Sequence, residues 1–207
     1  MGCRPMQALF LPVLLWILFQ EERAKRPEVP WTRLIGDKIY WGILPLIVAL
    51  SYMALNYAKF VYEHKQFSVD YLANNFRMLM NFPSFSEEGK MIIDHFGNLN
   101  FLWVNPPVFV FVAVTIAAAL RGEKKTAAFG VMTFVLSAGY LTVTAMHATM
   151  GGWHFGNRYT NDILPWLFVV SVMFFSKHGR WVKWQLPFAI WGILFNVVGT
   201  VIVYNGL

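Results

Sequence analysis

Residues 126–146 read TAAFGVMTFVLSAGYLTVTAM, a stretch of 21 residues without a charged side chain. As an α-helix it would measure about 30 Å, which matches the hydrocarbon thickness of a bilayer. Basic residues stand directly before it, at Arg121, Lys124 and Lys125. A long apolar run with its charges gathered beyond one end is typical of a membrane-spanning helix, and it decides the class of fold.

The composition of the whole chain favours the same class. Of its 207 residues, 57% are hydrophobic and only 14% are charged, and the mean hydropathy is +0.48. Soluble globular chains carry about 25% charged residues. We therefore predict an all-α integral membrane protein, a polytopic bundle of transmembrane helices with membrane lipids as its surroundings, and we exclude a soluble domain.

Six apolar stretches are candidates for membrane spans within a single transmembrane domain, residues 1–207. Three of them, 40–57, 126–146 and 184–204, have full length, and a fourth, 101–120, has it only when Pro106 and Pro107 are included. The stretches 6–19 and 163–176 would each form about 21 Å of helix. Such short spans need flanking polar residues, a thinned bilayer or burial within a bundle.

The basic residues lie in alternate connections between these spans. Eleven of the 17 Lys and Arg residues lie in the segments 20–38, 121–125 and 177–183. Because loops rich in Lys and Arg stay in the cytoplasm, both termini and the loops at 60–100 and 147–162 are predicted to face outwards. The same bias explains the net charge of +6 without nucleic acid as a partner, since no basic stripe with interleaved aromatic residues is present.

The outward loop at 60–100 is too long for a simple turn. One side of a helical pattern within it is apolar and the other side is polar, and Asp70 lies on the polar side. The apolar side is made of Val69, Leu72, Phe76 and Leu79. This pattern predicts an amphipathic helix that lies flat in the membrane interface.

A second short helix is predicted further along this loop. Ser84 stands three residues before Glu87, which is typical of a capping box, and the helix would end at Ile93. The whole loop is then either a lid over a lipid or sugar site or a passive interfacial segment.

The outward loop at 147–162 holds the densest group of chemically active side chains. Residues 150–166 read MGGWHFGNRYTNDILPW. Arg158 is the only cation among them, and a guanidinium is suited to fork onto a phosphate or a carboxylate. Asp162 directly precedes a short span, where a charged side chain is costly and therefore a functional candidate. The candidate binding residues are Trp153, His154, Arg158, Tyr159 and Asp162.

A structural role is open for each of these residues. Asp162 is also a natural N-cap for the fifth span. Arg158 can pair with Asp162 four residues later, or it can contact lipid headgroups. His154 can be a packed interfacial imidazole, and Trp153 and Tyr159 are equally typical of an aromatic belt at the membrane surface.

Other polar and small residues predict packing. Asn196 lies within the last span and is predicted to hydrogen-bond to a neighbouring helix, and Gly192 is predicted to allow close helix contact. The five histidines have no metal-binding spacing, such as a pair four residues apart. No cofactor or metal site is therefore predicted from the sequence, and a divalent metal stays open.

Residues 152–159, GWHFGNRY, followed by Asp162 and Pro165, resemble the late extracytoplasmic motif of bacterial multi-pass glycosyltransferases of the GT-C type and their uncharacterised relatives. In that motif an aromatic-Gly-x-Arg-Tyr sequence precedes a Leu-Pro pair that opens a membrane helix. The resemblance implies transfer of a sugar from a polyprenyl-phosphate donor on the outer face of a bacterial plasma membrane. Arg158 would hold the donor phosphate. The sugar or lipid pocket would be lined by Trp153, His154 and Tyr159.

The chain also departs from that family. Such enzymes place the catalytic aspartate in the first outward loop of a chain with more than six spans, whereas residues 2–5, GCRP, resemble an interior segment. By this resemblance the chain is either a C-terminal portion of a larger protein, without the catalytic loop, or a protein that does not catalyse alone, and Asp70 is the substitute candidate for catalysis. The alternative is a non-catalytic multi-pass membrane protein, either a transporter component or an assembly subunit.

Overall fold

The computed structural model describes residues 9–56, 67–82, 84–92, 101–149 and 159–205. The regular structure within these ranges is helical, apart from one hairpin of two short strands, so the predicted all-α class is confirmed. The chain divides into two compact units between residues 66 and 67.

The first unit consists of two helices, α1 (Leu11–Lys25) and α2 (Trp31–Asn56), which pack against each other. A Cβ atom at Gly42 of α2 would stand 2.8 Å from Cδ1 of Leu15 in α1. Glycine at this position therefore allows the close approach of α1 and α2. At the connection, the rings of Phe19 and Trp31 stack with centroids 4.2 Å apart.

The connection between these two helices is much shorter than the predicted loop at 20–37. Helix α1 continues to Lys25, past the predicted end at Phe19, and α2 begins at Trp31. The Nζ atom of Lys25 lies 2.6 Å from Oε1 of Glu21, and such pairs four residues apart support a helix in water. The charges that mark the end of the apolar run therefore do not mark the end of the helix.

The core of the second unit is formed by three helices, α5 (Pro107–Leu120), α6 (Lys124–Ala145) and α7 (Leu164–Phe175), each of which packs against the other two. Their facing side chains are almost fully buried. The buried apolar side chains include Phe111, Val114, Ala118, Phe129, Val170 and Phe174.

The predicted span 101–120 is interrupted. The short helix α4 (Phe101–Val104) ends before Asn105 and Pro106, and α5 begins at Pro107, where proline is tolerated because the first turn needs no N–H donor. The final helix, α8 (Leu186–Asn205), follows a 3₁₀ segment, Gly179–Gln185.

Two packing predictions for α8 are confirmed. Asn196 Nδ2 donates to the carbonyl of Val104 at 2.9 Å, which joins α8 to α4. Gly192 faces Pro106, whose Cδ atom would lie 3.5 Å from a Cβ added to that glycine. Helix α8 therefore rests on the break between α4 and α5.

The amphipathic helix of the first outward loop is present as α3 (Leu72–Leu79), which continues a 3₁₀ turn, Val69–Tyr71. The face that packs against α6 is nevertheless different from the predicted apolar face. Asn75, Met78 and Leu79 are buried, whereas Val69 and Phe76 are exposed.

The predicted second helix of that loop is wrong. Its residues form an antiparallel hairpin of strands β1 (Ser84–Phe85) and β2 (Met91–Ile92). The turn is closed by Ser86, whose backbone N–H donates to the carbonyl of Lys90 at 2.8 Å. Gly89 adopts φ +78°, a conformation that would end a helix and that glycine adopts without cost.

Three described stretches are helical, long and apolar enough to cross a membrane: Trp31–Tyr52, Lys124–Ala145 and Gly179–Ile202. Pro107–Leu120 and Thr160–Phe175 are shorter apolar helices. Only 6% of the apolar window of the last long stretch is buried, compared with 33% for α6. Helix α6 is therefore the central helix of the second unit, and α8 is peripheral.

Candidate functional site

The two predicted outward loops meet at the C-terminal end of α6. This helix begins after Glu123 and ends at Ala145, so its ends are about 33 Å apart. Residues 67–79 of the first loop and residues 147–149 and 159–162 of the second contribute to the same end. We call this group of residues the outer cluster, and its members are Phe67, Asn75, Tyr140, His147, Tyr159 and Asp162.

Asn75 of α3 closes the end of α6. The last carbonyl groups of a helix have no partner within the helix and must be satisfied by other donors. The Nδ2 atom of Asn75 donates to the carbonyl oxygens of Ala145 at 2.8 Å and His147 at 2.7 Å. Since Asn75 is only 2% exposed, this amide is a buried connection between α3 and α6.

Backbone pairing strengthens the same connection. Phe67 and His147 form an isolated antiparallel bridge, and the N–H of Ser68 donates to the carbonyl of Met146 at 3.0 Å. Residues 67 and 68 of the loop at 60–100 therefore pair with residues 146 and 147, which directly follow α6.

His147 lies between two aromatic rings. Its imidazole makes edge contacts with Phe67 and Tyr159, with centroids 4.9 Å and 5.8 Å apart. The backbone N–H of Thr149 donates to Nδ1 of His147 at 3.2 Å, which ties the imidazole to the residues that follow α6. Tyr159, a predicted binding residue, is thereby placed beside a histidine that the sequence analysis did not select.

Asp162 is held by a buried tyrosine. The hydroxyl of Tyr140 in α6 donates to Oδ2 of Asp162 at 2.5 Å. This distance is typical of a hydrogen bond from a hydroxyl to a charged carboxylate. Tyr140 is only 1% exposed, so the carboxylate is fixed from the protein side.

The predicted capping role of Asp162 is wrong. Helix α7 has Ile163 at its N-cap, without a side-chain hydrogen bond, and Asp162 ends a 3₁₀ turn, Thr160–Asp162. The carboxylate is directed to Tyr140 instead. Pro165 does lie in the first turn of α7, as expected.

Asp70, the candidate for catalysis, is exposed, and in the sequence it lies between Phe67 and Asn75 of the outer cluster. Ser68 Oγ donates to Asp70 Oδ2 at 2.9 Å and accepts from the backbone N–H of Asp70 at 3.1 Å. This pattern is that of a serine N-cap, which starts the turn leading into α3. The observed contacts of Asp70 are therefore those of a helix start.

The structure brings Tyr159 and Asp162 to one end of α6, whereas Trp153, His154 and Arg158 lie outside the described residues. The sequence analysis missed Asn75, Tyr140 and His147. A signal for Tyr140 existed, because hydroxyl side chains recur at helical spacing along α6 and all are buried. These residues are Thr133, Ser137, Tyr140 and Thr144.

Within the described ranges, no group of three or more His, Cys, Asp or Glu side chains is placed to hold a metal ion. The described chemistry of the outer cluster therefore rests on a carboxylate, two phenols, an imidazole and an amide. These groups hydrogen-bond readily to hydroxyl-rich ligands.

Comparison with known proteins gives no relative. No protein-family model matches the chain, no curated protein matches its sequence, and no solved structure matches its fold significantly.

Proposed function

We propose that this chain is a multi-pass membrane protein of the glycosyltransferase type, which handles a polyprenyl-phosphate sugar on the outer face of a bacterial plasma membrane. The observation that carries the proposal is the hydrogen bond between Tyr140 and Asp162 beside the contact between His147 and Tyr159. Two residues of the motif that resembles the glycosyltransferase loop are thereby anchored at one end of the central helix.

The chemistry of this end suits a sugar. A carboxylate held by one phenol, with a second phenol beside an imidazole, offers both hydrogen-bond donors and acceptors. Arg158 directly precedes Tyr159 in the chain. In the proposal, Arg158 binds the phosphate of the donor, and Trp153, His154 and Tyr159 line the sugar or lipid pocket.

We further propose six membrane crossings, by α1, α2, α4 with α5, α6, α7 and α8, with both chain termini outside. The two basic turns of the second unit support this topology. Glu123, in the turn before α6, is bonded to Lys177 and His178, in the turn after α7. The basic turns therefore lie at one end of α6, and the outer cluster lies at the other.

The topology can be measured by cysteine labelling. In a Cys3→Ser background, Glu87→Cys lies in the hairpin turn and Lys125→Cys lies at the start of α6. We expect a membrane-impermeant maleimide to label Glu87→Cys in intact cells, and Lys125→Cys only after permeabilisation. Labelling of both positions from outside would contradict the topology.

Donor binding tests the function itself. The full chain in proteoliposomes is given a radiolabelled polyprenyl-phosphate sugar, and bound and transferred sugar are measured. Arg158→Ala is expected to weaken binding by about tenfold to a hundredfold, because a charge-assisted hydrogen bond contributes roughly 1.5–3 kcal/mol. The matched control is Arg77→Ala, which removes an exposed arginine of α3.

The outcomes separate the two candidate functions. Loss of binding in Arg158→Ala and not in Arg77→Ala supports the proposed donor site. No binding by the unaltered chain, or equal binding by both variants, would overturn it. The second candidate, a non-catalytic transporter component or assembly subunit, is favoured by the sparse burial of α8, whose apolar surface a partner helix could cover.

A further inference from the structure

An apolar groove of the second unit runs along α5 towards the end that lies opposite to the outer cluster. It has a volume of about 300 Å³ and is lined entirely by apolar side chains from α5, the end of α7, the 3₁₀ segment and α8. Its lining includes Phe109, Ala113, Ala117, Phe174, Trp181 and Trp184. From Phe109 to Ala117 the groove follows α5 for about 12 Å, so its shape is elongated.

Two arginines stand where the groove ends. The Cζ atom of Arg121 lies 5.5 Å from the ring centroid of Trp181, and that of Arg180 lies 6.0 Å from the same ring. Arg121 follows Ala117 by four residues, which places both on one side of the helix end. Trp181, a lining residue of the groove, is therefore in contact with two guanidinium groups.

These guanidinium groups are not neutralised by the nearby acid. Glu123 is engaged by Lys177 Nζ at 3.2 Å and by His178 Nε2 at 2.5 Å. Among the described residues, no carboxylate forms an ion pair with Arg121 or Arg180, and both arginines are exposed. The end of the groove therefore carries two positive charges available to a ligand.

We propose that this groove binds one phospholipid with an anionic headgroup. One of its acyl chains lies along α5, and the phosphate lies at Arg121 and Arg180 beside Trp181. An elongated apolar groove suits a hydrocarbon chain, and tryptophan is typical of headgroup depth. Arginine forks onto phosphate oxygens, and anionic lipids are concentrated in the cytoplasmic leaflet, where the basic turns are proposed to lie.

This site is independent of the proposed sugar chemistry. The two arginines of the groove lie near the start of α6, whereas the outer cluster lies at its end. Transferase activity in a protein whose groove does not prefer anionic lipids would leave the proposed function standing and overturn the lipid site. A groove that prefers anionic lipids in a protein without transferase activity would do the reverse.

The test is photo-crosslinking in nanodiscs of the full chain. The probe is phosphatidylglycerol with a diazirine in its acyl chain, and the linked peptides are identified by mass spectrometry. We expect links to α5 and to the segment 179–188. Excess phosphatidylglycerol should compete at about one tenth of the concentration needed with phosphatidylcholine, given the attraction of each arginine for anionic headgroups.

Matched variants separate charge from shape. Arg121→Gln with Arg180→Gln should abolish the preference for phosphatidylglycerol, whereas Lys124→Gln with Lys125→Gln removes the same charge from α6 and should preserve it. Ala113→Phe fills the groove and should reduce linking. Ala119→Phe adds the same ring at an exposed position of α5 outside the groove and should not.

Several results would overturn the proposal. Equal competition by both lipids would show an ordinary lipid-facing surface, and full competition by soluble glycerophosphate would show a site for free phosphate. Links to a second copy of the chain in place of lipid would show a protein interface. If the arginine variants fail to fold, the lipid competition on the unaltered chain and the Ala113→Phe comparison still decide the question.

Discussion

The hydroxyl of Tyr140 and the carboxylate of Asp162 are joined across 22 positions of sequence by a hydrogen bond of 2.5 Å. Tyr140 is buried in α6, and Asp162 lies in the turn that leads into α7. This bond connects the central helix with the turn before α7, and it positions that turn from the protein interior.

Tyr140→Phe is expected to lower the free energy of unfolding by roughly 1.5–3 kcal/mol, because the hydrogen bond from its hydroxyl to a carboxylate is lost. The measurement is thermal or denaturant unfolding in a fixed detergent. Asp162→Ala and the double variant complete a cycle, for which we expect a coupling energy of at least about 0.5 kcal/mol. Strictly additive effects would show that the two side chains do not interact.

Asn75→Ala is expected to destabilise the protein by about 1–3 kcal/mol, because one buried and one part-buried carbonyl group lose the donor that Asn75 supplies. Asn75→Asp should be worse, since it directs an acceptor at two acceptors. Asn74→Ala, at the exposed neighbouring position, is the control and should stay within about 0.5 kcal/mol of the unaltered chain. Equal losses for Asn74→Ala and Asn75→Ala would refute the buried role.

The stability of the second unit should depend on pH through Glu123. The hydrogen bond from His178 holds the pKa of Glu123 below its ordinary value of 4.5, and Lys177 acts in the same direction against the opposing effect of burial. A carboxyl with a lowered folded pKa contributes stability that is fully present above about pH 4.5 and is lost as pH falls through the folded pKa.

We therefore expect the melting temperature to decrease as the pH is lowered below 4.5. This decrease should be smaller in Glu123→Gln. Glu87→Gln, in the exposed hairpin turn, is the control and should keep the full dependence. A Glu123→Gln profile that matches the unaltered chain from pH 7 to 3 would remove Glu123 from this role.

Gly130→Ala is expected to destabilise the contact between α5 and α6 by about 1–3 kcal/mol, the usual effect of overpacking. An added Cβ would stand 2.6 Å from Cγ2 of Thr115 and would also meet its hydroxyl. Thr115 is buried and β-branched, so it has little freedom to move. The measurement is unfolding of the purified protein.

Two further variants complete that test. Thr115→Ala combined with Gly130→Ala should recover much of the loss, because the obstructing atoms are gone. Gly139→Ala, on the same helix with nothing within 4 Å of its added Cβ, should be stabilising by about 0.5–1 kcal/mol. Similar losses at Gly130 and Gly139 would show that the contact with Thr115 is not the cause of the loss, since helix propensity alone favours alanine at both positions.

Hydropathy predicted the helices of the second unit closely where apolar length was the relevant signal. The stretches 126–146 and 163–176 lie within two residues of the bounds of α6 and α7. The predicted bounds differ from the observed ones where a helix extends into charged sequence, as α1 does up to Lys25. Turns of helix that are exposed to water need no apolar residues, so hydropathy does not detect them. It failed at Ser84 because a capping pattern also suits a turn, and Gly89 favoured the turn.

The amino-acid sequence by itself determined an all-α chain with helices that match a bilayer, because a bilayer selects long apolar runs whatever their partners are. Only the tertiary structure decided which face of α3 meets α6, and that Tyr140, His147 and Asn75 join Tyr159 and Asp162. Lipid tails are as apolar as a protein interior, so an apolar face does not reveal whether it meets lipid or helix. Polar contacts between residues distant in sequence depend on which face of a helix meets lipid and which meets another helix.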